Sequence, residues 1–560
     1  MPEHEGPGTR ITLIAALACG LLAIAVLQPP EVHAWSRAAC KAILAAAACL
    51  LLTWGGGAPR LLPRWIGGLS PFAAAAVLSA ACRSHAIDEA SDALALVLAA
   101  VLGRRIAADA RAREVLTRLL VALACVVALW AFVQRYLTYP IEAEALRGGR
   151  AEGSAFVLAR LELGRPSGPF TLPAALGGFL ALTLPLTLTL AGTERRTAPR
   201  AALALAAFLQ IGALALTRSL GALFATSISV FLVLPAVTRR RRALLQGAIA
   251  AAVVAATALF LHARRLEFAT PGGDPLLLRA GNWAAAAEMI RDHPLLGTGP
   301  GSFGTFYPRY IRPGMNETRY AHNSYLQALA GWGAWAALPI LTLLTAVSRR
   351  LRAARRAGGA DLPALAAGAG FLTHNLIDFT AFLPGVAIPA AMLIGIGVGE
   401  GVPGASPPPR RAARALLAGL ALAGLAAFVA QAATVARCQS LLEQASAAAV
   451  DGEIAASLEQ ARAAARVRPE DEAPQAFLAE GVLAHGLDDP GLRAEGQRAA
   501  ARAVTLDRES AILHFFVARY HQAAGENTEA YRELRAAHRL YPLKDLYGPG
   551  AESAESMNVP

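Results

Sequence analysis

The chain has 560 residues, 55% of them hydrophobic and only 16% charged, with a formal net charge of +12 and a mean hydropathy of +0.43. Soluble domains average about 25% charged residues, so an ordinary soluble fold is excluded for residues 1–436 and a polytopic membrane protein is expected. The basic excess does not point to nucleic acid, because most of it is arginine in short loops between apolar runs.

Crossing about 30 Å of hydrocarbon takes roughly 20 apolar residues in a helix. Runs of that kind predict spans, in chain order, at 11–27, 38–54, 66–82, 86–102, 115–133, 169–191, 201–217, 219–237, 243–262, 325–347, 363–377, 384–399 and 415–436. The first follows a polar stub and lacks a small-residue cleavage site, so it reads as a retained span and not a signal peptide. About 12–13 spans follow, and the fold class expected is all-α, a transmembrane helical bundle.

Arginine sets the orientation, since loops rich in Lys and Arg stay in the cytoplasm. Alternate loops carry Arg60 and Arg64, Arg104 to Arg113, Arg195 to Arg200, Arg239 to Arg242, Arg349 to Arg356, and Arg410 to Arg414, whereas the intervening short loops hold little beyond Arg37, Arg83 and Arg218. This alternation predicts a cytoplasmic N-terminus and an external C-terminus. Two longer segments, 134–168 and 263–322, then lie outside. Cys19, Cys40, Cys49, Cys82 and Cys125 fall in or at the ends of spans and Cys438 stands alone. Their spacing offers neither a disulfide framework nor a Cys-x-x-Cys metal site, and small apolar packing is the expected role.

Past Ala436 the composition turns to Ala, Glu, Arg and Gln with helical periodicity. The segments ARAAARVRPED, AARAVTLDRES and LRAAHRLYPLK repeat a small-residue helix face followed by a turn, at offsets near those of tetratricopeptide repeats, which are paired helices of about 34 residues. Residues 437–547 are therefore expected to be an external helical-repeat domain, with a plain helical bundle as the alternative, and 548–560 a disordered tail. Such a domain would present a docking surface to a partner.

Three arginines are expected on the outer side, against the charge bias: Arg165 in GRPSGPF, Arg218 in LTRSLGAL and Arg279 in RAGNW. A guanidinium gives paired donors to phosphate oxygens and keeps its charge, so the set suits a lipid diphosphate headgroup. Each alone also reads as a snorkelling residue or the partner of Glu162, Glu267 or Asp274. His322, where the second long loop re-enters the membrane, can accept a proton at neutral pH, or serve as a structural hydrogen-bonding residue. The stretch Gly297 to Gly301 has backbone amides for phosphate but lacks a P-loop's lysine and its setting; a plain turn is the simpler reading.

The string HPLLGTGPGSF followed by AHNSYLQALAGWG resembles the signature of the O-antigen ligase and O-antigen polymerase superfamily of bacterial membrane glycosyltransferases. Arg165 with Ser167 and Gly168 resembles the family's Arg-x-Ser-Gly-x-Phe element, Arg279 with Trp283 the lead-in to its large loop, and His374 with Asp378 a further His-x-x-x-Asp element. The resemblance implies a type C glycosyltransferase-like fold in the bacterial inner membrane and a periplasmic repeat domain. It also implies inverting transfer of glycan from a polyprenyl diphosphate carrier to lipid A-core or a growing glycan, without metal or cofactor. Arg165, Arg279 and Arg218 would hold the diphosphate and His322 would act on the acceptor hydroxyl, supported by Asn323, Trp283, His374 and Asp378. The chain departs from the family pattern where Glu-x-Gly is replaced by Gly331-Trp332-Gly333, and Ser-Arg-Gly by Thr217-Arg218-Ser219. Polymerase activity is the alternative within the family; a transporter or a scaffold presenting the repeats is the alternative outside it.

Overall fold

Apolar runs without strand-forming alternation become helices, and the computed structural model is all-helical over the residues it describes: 7–53, 70–148, 155–237, 275–357, 359–399 and 411–547. The described residues fall into two compact units, one drawn from 1–61, 94–271 and 340–429, the other from 62–93, 272–339 and 430–560. Among the described residues, five helical segments are long and apolar enough to cross a membrane, at Ala34–Leu51, Ala110–Arg147, Pro173–Thr193, Thr197–Thr217 and Ala421–Val450; Ile11–Leu27, Leu220–Val233 and Pro384–Val398 are shorter apolar helices. The architecture is that of a polytopic helical membrane protein. The expected span 243–262 and the tail 548–560 lie outside the described residues.

The first unit contains α1 (Pro7–Leu27), α2 (Ala34–Thr53), most of α4 (Arg83–Ile106), α5 (Ala110–Val133), α6 (Tyr139–Arg147), α7 (Ala155–Leu163), α8 (Pro173–Thr193), α9 (Thr197–Thr217), α10 (Leu220–Val237), most of α14 (Ala337–Ala357), α15 (Leu362–His374), α16 (Pro384–Val398) and the start of α17 (Arg411–Val450). Asp109 starts α5 by accepting a hydrogen bond from the Ala112 amide at 2.8 Å, the usual service of an aspartate at a helix N-terminus. The inner face of α5 buries Leu116, Leu120, Ala124, Val127 and Ala131, yet Val126, Leu129, Trp130 and Val133 stand exposed. A helix apolar on both faces suits lipid on one of them.

At the centre lies α8, buried continuously from Ala175 to Thr187 and packed on α9, α10 and α15. Pro185 inside α8 has no N–H to give the Ala181 carbonyl, and Ser229 of α10 donates its hydroxyl to that carbonyl at 3.4 Å. Gln210 of α9 ties two turns of α8 together, accepting from Thr183 Oγ1 at 3.0 Å and donating to Thr187 Oγ1 at 2.8 Å. In a membrane interior such groups need internal partners, and here they find one another.

The second unit contains α3 (Ser70–Ser79), the first turns of α4, α11 (Pro275–Asp292), α12 (Phe303–Tyr310), α13 (Ser324–Trp332), the rest of α17, and α18 (Ile454–Val467), α19 (Glu472–His485), α20 (Pro490–Leu506), α21 (Ala511–Ala523) and α22 (Asn527–Leu540). Helices α18 to α22 each pack on the next around Leu458, Leu478, Val482, Phe515, Phe516 and Tyr520. Small residues permit the approach: Tyr520 donates its hydroxyl to the Ala479 carbonyl at 2.7 Å, passing over Gly496 where a Cβ would lie 1.9 Å from that oxygen. Aspartates again start helices, Asp471 for α19 and Asp489 for α20.

Four expected segments differ in detail from the sequence reading. The run 325–347 is not one span, because α13 stops at Trp332 and Gly333 adopts φ 74°, ψ −168° before the chain restarts in α14. The segment 134–168, expected as an outer loop, is largely helical over its described residues, with a π turn at Gln134–Thr138 followed by α6 and α7. The run 86–102 forms the middle of α4, which begins at Arg83 and carries Asp88, Glu89 and Asp92 in its first turns. Finally, α17 continues unbroken past Ala436 to Val450, so the change in composition does not coincide with a break in the helix.

Candidate functional site

Arg165 and Arg218 meet in the first unit. Gly164 and Gly168, with φ of 60° and 61°, turn the chain sharply between α7 and α8, in a conformation side-chain-bearing residues avoid. Gln134 clamps this turn: its Oε1 accepts from the Gly168 amide at 2.8 Å and its Nε2 donates to the Gly168 carbonyl at 3.0 Å. Arg165 Nε then donates to the Thr217 carbonyl at 2.9 Å. The next residue is Arg218, which caps α9 in the left-handed region at φ 49° with its side chain exposed. Two cations predicted from separate loops are thus neighbours through one backbone carbonyl. Beside them Arg135, Tyr139, Glu144, Arg147 and Glu162 line a cavity of about 470 Å³, and the Arg135 guanidinium lies against Gly164.

Arg279 and His322 belong to the second unit. Arg279 and Trp283 sit four apart on α11, hence on one helix face, and Trp283 Nε1 donates to the His322 carbonyl at 3.2 Å. The face that carries Arg279 is therefore the one turned toward His322. Asn282 reinforces α11 by accepting from the Tyr307 hydroxyl at 2.7 Å. His322 itself has φ 53°, and the helix that follows is begun by Asn323, whose Oδ1 accepts from the Tyr325 and Leu326 amides at 3.0 and 3.1 Å. Gln327 holds the other side, accepting from the buried Ala321 amide at 2.6 Å. Asn323 thus acts through the backbone, as the starter of α13.

His374 and Asp378 are buried in the first unit at 0% and 1% exposure. The His374 ring rests on Gly178 and Gly221, its Nδ1 hydrogen-bonds Thr380 Oγ1 at 3.2 Å, and Asp378 stands 3.9 Å from Nε2. This is a packing knot between α15, α8 and α10.

The glycine stretch is a turn. Gly297 donates to His293 O, Thr298 to Ala330 O, Gly299 to Gly331 O and Gly301 to Glu89 Oε2, so its amides are engaged with the protein. Glu89 is the residue that sequence reasoning missed. Its other oxygen accepts from Trp332 Nε1 at 2.8 Å, placing a carboxylate beside Gly331-Trp332-Gly333, where the chain lacks the expected glutamate. The available signal was the run of acids at the start of a supposed span, since ionisable groups in spans are costly and seldom idle. Cys82 also departs from expectation: its thiol faces Ser84 and Glu472, not an apolar pocket.

Side chains of 437–547 grip the segment that carries His322. Arg309 pairs with Glu509, Thr305 donates to Asp507 at 3.3 Å, and Glu317 accepts from Tyr541 and Lys544 at 2.8 and 3.2 Å. Arg468, 4% exposed, forms paired bonds of 3.0 and 3.1 Å to Asp88.

No curated protein and no solved structure matches the chain. Residues 205–341 match a family model described as O-antigen ligase. The matched stretch contains Arg218, Arg279, Trp283, His322 and Asn323, and the likeness supports a glycosyl-transfer role of the ligase or polymerase type for this multi-pass membrane protein.

Proposed function

We propose that the protein transfers glycan from a polyprenyl diphosphate carrier to an acceptor on the periplasmic face of the bacterial inner membrane, in the manner of an O-antigen ligase. The observation that carries the proposal is the family match across 205–341 combined with the Trp283 bond that ties Arg279's helix to His322. Arg165, Arg218 and Arg279 bind the diphosphate. His322 takes the proton from the acceptor hydroxyl as its oxygen attacks the anomeric carbon from the face opposite the carrier. The bond from that carbon to the diphosphate oxygen breaks, its electron pair stays on the polyprenyl diphosphate, and the sugar is transferred with inversion. Guanidinium donors fixed where the negative charge grows lower the barrier most when they are held in place beforehand, and the Arg165 bond to Thr217 O is such a restraint. The residues 437–547 are proposed to form a tetratricopeptide-like periplasmic domain that steers the acceptor or an assembly partner.

His322→Ala and Arg279→Ala in the full chain should each lower transfer by about two to four orders of magnitude, the usual worth of a general base or a charge-stabilising donor, with insertion and expression unchanged. Normal glycan assembly by both variants would refute these roles. In a strain lacking the protein, loss of all capped lipid A-core identifies a ligase, whereas a ladder stopped at one repeat identifies a polymerase.

A further inference from the structure

Two helices of the second unit begin at the same place. Cys82 stands at the start of α4 with His85 one turn on, and Glu472 is the first residue of α19. Glu472 Oε2 accepts from Cys82 Sγ at 3.2 Å and from Ser84 Oγ at 3.2 Å, while His85 Nε2 is 2.8 Å from Glu472 Oε1. One ligand atom from each of Cys82, His85 and Glu472 lies within 4.8 Å of the others. Cys82 is fully buried and Glu472 is 8% exposed.

We infer that Cys82, His85 and Glu472 form a binding site for a divalent transition metal, zinc by preference, that staples α19 to the start of α4. The donor set is thiolate, imidazole and carboxylate, the three that zinc takes in proteins. Bonds of about 2.3 Å to sulfur and about 2.0–2.1 Å to nitrogen and oxygen, at tetrahedral angles, separate the ligand atoms by about 3.3–3.6 Å. Cys82 Sγ stands 3.2 Å from Glu472 Oε2 and His85 Nε2 2.8 Å from Oε1, so small side-chain adjustments bring one ligand atom of each, already within 4.8 Å of the others, to these separations. Two helix N-termini meet at the site, that of α4 after Cys82 and that of α19 at Glu472, and negative ligands are stabilised near such ends. Binding replaces hydrogens with the metal: the thiol proton and the proton shared by His85 and Glu472 leave to solvent, and two anionic ligands neutralise the dication. Three protein ligands leave one coordination position open, which water fills.

The site has a consequence beyond holding two helices. The His85 carbonyl packs on Gly301, where a Cβ would lie 2.7 Å from it, and the turn from Gly297 to Gly301 is bonded to the end of α13, the helix that follows His322. Metal occupancy would therefore stiffen the segment bearing His322. The inference about binding does not depend on the proposed transfer reaction.

The test uses the full-length protein in detergent, stripped with a chelator and titrated with Co²⁺ alone. The expected result is about one cobalt per chain with a thiolate-to-cobalt charge-transfer band in the near ultraviolet, displaced by Zn²⁺. Cys82→Ser should abolish the band and His85→Ala should weaken cobalt binding at least tenfold, whereas Cys438→Ser should change neither. Because Cys82→Ser and His85→Ala remove buried hydrogen bonds, Glu472→Gln, which keeps shape and bonding capacity, provides the second variant; it should also weaken cobalt binding while melting like the stripped wild type. Absence of a charge-transfer band in the wild type, or a band that survives Cys82→Ser, would overturn the site.

Discussion

The surroundings of α8 and the seam that residues 437–547 make within the second unit satisfy polar groups by different means. On α8 itself the bonded polar side chains are neutral and short in reach, as in the set that Thr183 and Thr187 form with Gln210. Where residues 437–547 meet 82–93 and 272–339, the partners are mostly charged and long: Arg468 with Asp88, Arg309 with Glu509, Lys544 with Glu317. Inside a bilayer a single charge is expensive and a hydroxyl can still be met by a backbone carbonyl, whereas guanidinium and carboxylate, where water reaches them, can specify which surfaces join.

The contrast predicts unequal costs on substitution. Arg468→Ala leaves Asp88 and the 8% exposed Asp471 without their cation, and stranding a buried charge costs about 3–5 kcal/mol; thermal unfolding of the purified protein should show a large downward shift. Gln210→Leu removes two neutral bonds within the membrane unit, where such bonds are worth about 0.6 kcal/mol and at most about 1.7, so its melting point should move far less. If Gln210→Leu proved the costlier change, the division drawn here would fail. The smallest effect belongs to Glu317, whose carboxyl is held below the ordinary range by the Tyr541 hydroxyl and then by Lys544. A lowered native value gives stability that is present above the unfolded value of about 4.3 and is lost as the pH falls through the native one. The side chain is 60% exposed, so Glu317→Gln should cost only a few tenths of a kcal/mol at neutral pH, and the difference from wild type should vanish in acid.

The helices that depend only on an apolar run were legible, α1, α2, α5, α8, α9, α10, α15 and α16 among them, because burial of such a run determines its conformation. The break at Gly333 was not. Flanked by Trp332 and Ala334, it reads as one more small residue in a span, and its need for positive φ is visible only once Leu295 is found 2.1 Å from where a Cβ would be. Arg165, Arg218, Arg279 and His322 were legible only as candidates, since each alone also reads as a snorkelling, paired or hydrogen-bonding residue. That Arg165 reaches the residue before Arg218 was not, because the bond runs to a backbone carbonyl, which every residue has. Glu89 and the Cys82, His85 and Glu472 group were hidden for a third reason: their partners are hundreds of residues away in the chain, and nothing in either segment alone marks the other.

His322 occupies the left-handed region at φ 53°, which costs a residue with a Cβ roughly 1–2 kcal/mol. Glycine or asparagine at this position would relax that penalty. A library sorted for heat resistance should therefore enrich His322→Gly, and the enriched clones should melt higher while losing glycan transfer. Durability and activity would then be set against each other by a single backbone angle.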